Sequence, residues 1–137
     1  MSIYINSPGY YTQIHGVDDN VYKLCRFLEK NIDVKNYTSL LDTVGITPII
    51  VPTSEICDEK WQESKHISLT YRMASISLRV NYSEYVSVDQ DVKVQLVIDN
   101  ILSSLLVIKK RLKCGFDYER MKKDILTLVK SFCCYEG

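Results

Sequence analysis

The sequence predicts an α+β fold: a small antiparallel-containing sheet of three to four strands packed against helices, with the chain ending in a long helical hairpin. Three observations predict it. Apolar residues recur every three or four positions through the C-terminal third, they alternate with polar ones between His66 and Tyr82, and a compact β-branched run, Ile46 to Val51, is closed by Pro52. A chain of 137 residues that is 46% apolar and 25% charged, with five Gly and three Pro, has the composition of one globular domain spanning residues 1–137.

The elements follow in order. Ser2 to Asn6 alternates as a short strand stopped by Ser7-Pro8-Gly9, and Tyr10 to Gly16 reads as a loop. Asp18 is placed to cap a helix running to Asn31, with Val21, Leu24, Cys25, Leu28 and Ile32 on its apolar face and Tyr22 and Phe27 widening it. Tyr37, Leu40, Leu41 and Val44 suggest a short second helix ended by Gly45, before the Ile46–Val51 strand. Thr53 to Lys65 is polar and mostly acidic, as an exposed connection would be.

Between His66 and Tyr82 the alternation changes phase. Ile67, Leu69, Tyr71 and Met73 occupy odd positions, whereas Ala74, Ile76, Leu78, Val80 and Tyr82 occupy even ones. A one-residue slip sends every side chain to the other face, so a bulge in one long strand or a turn between two antiparallel strands lies between Tyr71 and Ser75. The hairpin with an irregular turn is the reading adopted. Asp89 to Lys113 then carries Val94, Ile98, Ile101, Leu105, Ile108 and Leu112 on one stripe broadened by Val97, Leu102 and Leu106, which marks a central core helix. Gly115 is placed to end it in a left-handed cap. Asp117 caps a last helix to Cys133, with Met121, Ile125, Leu128 and Phe132 in line, and the two helices are expected to pack as a hairpin against the sheet.

Seventeen basic and seventeen acidic residues cancel, which argues against a dedicated nucleic-acid binder. The distribution is uneven, with nine basic and thirteen acidic residues up to position 106 and eight basic and four acidic after it. Five cysteines at unpatterned spacings suit reduced thiols, no secretory segment opens the chain, and no apolar stretch is long enough to span a bilayer, so a cytoplasmic location is expected.

Enzyme signals are weak. Cys57 with His66 would make a cysteine-dependent hydrolase only if the fold joins them, and no cysteine motif surrounds either residue. Adjacent Cys133 and Cys134 lack zinc-ligand spacing, Ser7-Pro8-Gly9 lacks the glycine spacing of a phosphate loop, and no catalytic, cofactor or metal residue is assigned. Glu55, Asp58, Glu59 and Glu63 cluster around Trp61, the only tryptophan, as an acidic contact surface with an aromatic anchor would. Tyr10 and Tyr11 are candidate anchors in the preceding loop. The basic run Lys109, Lys110, Arg111, Lys113, Arg120, Lys122 and Lys123 suits the dipole of a helix end, and its other reading is an RNA-associated module.

Ile76-Ser77-Leu78-Arg79-Val80-Asn81-Tyr82-Ser83-Glu84-Tyr85, then Asp99 to Leu105, Val107 to Leu112 and Phe116-Asp117-Tyr118-Glu119, together with the opening Ile3 to Gly9, resemble the immunity protein 44 family of bacterial polymorphic-toxin systems. The resemblance covers most of the chain and is densest from residue 74 onward. It implies a cytoplasmic protein without catalysis that binds and neutralises a cognate toxin domain. The matching strings are structural, so the candidate partner-binding residues remain those drawn from the residues themselves: Glu55, Asp58, Glu59, Trp61, Glu63, Tyr10 and Tyr11.

Overall fold

The computed structural model describes residues 1–3, 19–51, 66–81 and 89–136. Strand β1 (Ser2–Ile3) is followed by helix α1 (Asp19–Asn31), a 3₁₀ turn (Val34–Asn36), β2 (Thr43–Val51), β3 (His66–Thr70), β4 (Met73–Asn81), α2 (Gln90–Leu112) and α3 (Tyr118–Glu136). The strands form one sheet in the order β1-β2-β4-β3.

The sheet corrects the expected fold class. The alternating pattern led to the expectation of an antiparallel-containing sheet of three to four strands, but β1, β2 and β4 are three parallel strands, and antiparallel pairing is confined to the edge strand β3. The cause is connectivity. A helix intervenes between β1 and β2, and a strand–helix–strand crossover returns the second strand parallel to the first. β4 then pairs with β2, and β3 is displaced to the edge.

Register explains the change of phase. Leu69 pairs with Ala74 and Ile67 with Ile76, so odd positions of β3 lie opposite even positions of β4. Two residues separate the strands, Tyr71 with φ 51° and Arg72 with φ 62°, and a two-residue turn of the I′ kind requires positive φ at both. The connection is therefore a tight hairpin rather than an irregular turn. Met73 pairs with Thr70 and so belongs to the face opposite Ala74.

Ile3, Val44, Ile46, Ala74 and Ile76 are buried in register across three strands, beneath α1 and α2. On the other face Ser2, Thr43, Gly45, Met73 and Ser75 are exposed or half-exposed, and among the described residues no element covers them. α1 buries Val21, Leu24, Cys25, Leu28 and, just past its end, Ile32, while Tyr22 stays exposed and Phe27 meets Phe132 of α3 with ring centroids 5.5 Å apart. α1 also secures the sheet edge. Arg26 donates to the Ile3 carbonyl, Glu29 accepts from the Ile3 amide, and the two side chains pair at 3.0 Å, satisfying strand backbone with side chains.

α2 lies on β2 and β4 with Val97, Ile98, Ile101, Leu105 and Ile108 fully inside. It is capped by Asp89, whose Oδ1 accepts from the Val92 amide at 3.1 Å. α3, capped by Asp117 through the Arg120 amide, packs chiefly on α1 and α2 and not, as expected, against the sheet.

Two further expectations are corrected. The segment at 36–44 is no helix: the 3₁₀ turn ends at Asn36, β2 begins at Thr43, and Gly45 lies inside that strand. The left-handed residue that closes α2 is Lys113, φ 66°, whose amide still reaches the Lys109 carbonyl; Gly115, φ 82°, turns the chain two residues later.

Candidate interaction surface at the hairpin end

The strongest surface feature lies at the tip of the β3–β4 hairpin. Four of the seven large apolar side chains exposed among the described residues lie in or beside this hairpin: Tyr71 at 92% on the turn, Leu69 at 42% and Met73 at 46% on opposite sheet faces, and Leu40 at 42% next to the turn's anchor. Solvent-exposed apolar groups are ordinary when scattered and informative when contiguous.

Arg72 ties this tip to the body. Its carbonyl accepts from the Asp42 amide at 2.7 Å, its guanidinium donates to the Ser39 carbonyl at 2.6 Å, and its Nε lies 3.3 Å from Asp42 Oδ1. Leu40 follows Ser39 and leans on the α2–α3 connection, where a Cβ placed on Gly115 would come within 2.9 Å of Leu40 Cδ1. Contacts thus run from the turn through Ser39 and Leu40 to the α2–α3 connection.

That connection is itself pinned. Thr38 bridges to Phe116, and the Asp117 amide donates to the Tyr37 carbonyl at 2.9 Å. Arg120 lies 4.8 Å from the Tyr37 ring centroid, pairs with Asp117 at 3.5 Å and donates to the Asn36 carbonyl. Lys109 sits 5.6 Å from the Tyr118 ring. Two members of the basic run are therefore absorbed by intramolecular contacts, which weakens its reading as an RNA surface. Lys110, Arg111 and Lys113 remain exposed, and no ion pair among the described residues uses them. Lys122, Lys123 and Lys130 border a shallow, open depression along α3 with Glu119, Leu126 and Thr127. That depression is one stripe of a single helix, without side chains converging from a second element.

The contact residues expected from the sequence, Tyr10, Tyr11, Glu55, Asp58, Glu59, Trp61 and Glu63, lie outside the described residues, as do His15 and Cys57. His66 opens β3. Cys25 is buried on the inner face of α1, and burial pushes its thiol up to about 12, which makes it a core residue and a poor nucleophile. Among the described residues no three His, Cys, Asp or Glu side chains gather to hold a metal ion, and no helix is long and apolar enough to cross a membrane.

The hairpin tip escaped sequence reading because Tyr71 and Met73 continue an alternating pattern and so pass for strand residues. The phase change two positions later was the one available signal.

The family model for immunity protein 44 matches residues 1–131. The chain belongs to the immunity protein 44 family. No curated protein and no solved structure matches it.

Proposed function

We propose that this protein is a cytoplasmic immunity protein of a polymorphic-toxin system, binding a cognate toxin domain and neutralising it by contact, without catalysis. The observation that carries the reading is the family match over residues 1–131. The hairpin end supports it, because a clamped turn with an exposed aromatic and apolar neighbours is the material of a protein interface. The acidic stretch Glu55, Asp58, Glu59 and Glu63 with Trp61, and the Tyr10-Tyr11 pair, are proposed as contact residues on the chemistry of their sequence. A basic toxin surface is the complement that stretch requires.

The decisive experiment co-expresses the protein with the toxin domain encoded beside it. Survival of cells that the toxin alone kills, together with a purified complex, is the expected result; killing that persists at equal expression removes the reading. Replacing Glu55, Asp58, Glu59 and Glu63 together by Lys is expected to weaken the complex and to abolish the part of its salt dependence that this stretch supplies. Unchanged affinity and unchanged salt dependence would dismiss the acidic stretch while leaving the protein's role intact.

A further inference from the structure

We infer that the β3–β4 turn is a docking element of the toxin complex: Tyr71 enters an apolar recess on the toxin whose rim is acidic and faces Lys110, Arg111 and Lys113. The inference rests on the toxin-binding reading above and deepens it by assigning a second contact region and its chemistry.

The backbone provides the first argument. A two-residue turn with positive φ at both positions is most stable as Asn-Gly or a similar pair, since Cβ crowds the left-handed region in other residues. Here the two positions hold Tyr and Arg. The cost at Arg72 is offset within the fold by its bonds to Ser39 and Asp42. Among the described residues nothing comparable returns the cost at Tyr71, which is 92% exposed. Folding alone therefore does not account for a tyrosine there. Strained residues that the surrounding structure holds in place are drawn toward functional sites, and Arg72 holds this one rigidly, so the ring loses little freedom on binding.

Charge identifies the partner. Around the apolar tip, Asp42 already faces Arg72 and Asp117 already faces Arg120. Lys110, Arg111 and Lys113 stand exposed outside those pairs, so the surface offers positive charge to whatever covers it. A protein surface that seats Tyr71 and Leu40 must meet those cations with carboxylates.

The test uses the full chain and the toxin domain encoded next to it. Tyr71→Asn places a residue tolerant of positive φ in the turn, so the melting midpoint is expected to hold or rise while Kd rises about thirtyfold or more. Tyr71→Asp is expected to lose more than Tyr71→Asn, because it brings a carboxylate to an acidic rim. Arg111→Glu combined with Lys110→Glu, on the helix surface and independent of the turn, is expected to slow association at low ionic strength and leave dissociation nearly unchanged. Undiminished binding by Tyr71→Asn overturns the docking role while the toxin-binding reading stands. Equal losses for the Asn and Asp variants, with association unchanged by the double reversal, overturn the acidic rim. A wild-type chain that fails to bind the toxin removes both inferences.

Discussion

Tyr37 holds the start of the last helix through its hydroxyl, its ring and its carbonyl. Its hydroxyl donates to Asp124 Oδ2 of α3 at 2.6 Å, its ring carries Arg120, and its carbonyl accepts from Asp117, so the 3₁₀ turn is fastened to the start of the last helix. Burial pushes the hydroxyl up to about 12 from the ordinary 10.0, helped by the bond to Asp124 and by that carboxylate's charge, and opposed by Arg120. The fold thus favours the neutral phenol. Its contribution is whole below pH 10 and is lost as pH rises toward 12. Tyr37→Phe is expected to cost about 1 kcal/mol at neutral pH, with the gap to wild type closing across that alkaline window in a urea-denaturation series.

Other residues at this scale show the limits of pattern reading. Lys93, Asn100 and Ser104 are buried in α2 although their types predict exposure. A polar residue on a core face announces itself only when the neighbours are known. Arg120 is the converse case. It was legible as one cation of a surface run, and only the fold shows it spent on Asn36, Tyr37 and Asp117.

At the scale of elements, the α2–α3 connection is the most constrained segment. Helix α2 stops because Lys113 turns left-handed, and Gly115 follows with φ 82° against Leu40. A Cβ there would be strained by the backbone and would also crowd Leu40 Cδ1, although that side chain is half-exposed and can yield. Gly115→Ala is accordingly expected to cost about 1–2 kcal/mol, most of it from the positive φ, as a lowered urea midpoint with an unchanged slope. Helices α2 and α3 were legible because each carries an uninterrupted stripe and an aspartate cap, both local properties. The proposed helix at 36–44 was not, since four apolar residues over eight positions fit a turn leading into a strand equally well.

Across the whole molecule, stability is concentrated where α2 crosses the parallel strands. Ile101 is fully buried in that layer with Ile98, Leu105 and Ile108. Ile101→Ala is expected to destabilise by about 2–5 kcal/mol, measured by chemical denaturation, because the close-packed layer cannot collapse around the space left. The opposite sheet face, with Ser2, Thr43, Gly45 and Ser75 at described positions, contributes no comparable apolar layer.

By itself the sequence determined the two long helices with their aspartate caps, the apolar stripe of α1, a change of phase between Tyr71 and Ser75 that a bulge or a turn must absorb, and the family. Each is written in local spacing or in matched strings. Only the tertiary structure decided that β1, β2 and β4 run parallel, that Tyr71 and Arg72 form the turn, and that Leu40 lies against the connection that follows α2. The physical reason is range. Strand direction and surface adjacency depend on hydrogen bonds and contacts between segments far apart in the chain, whereas periodicity reports only which face of each segment avoids water.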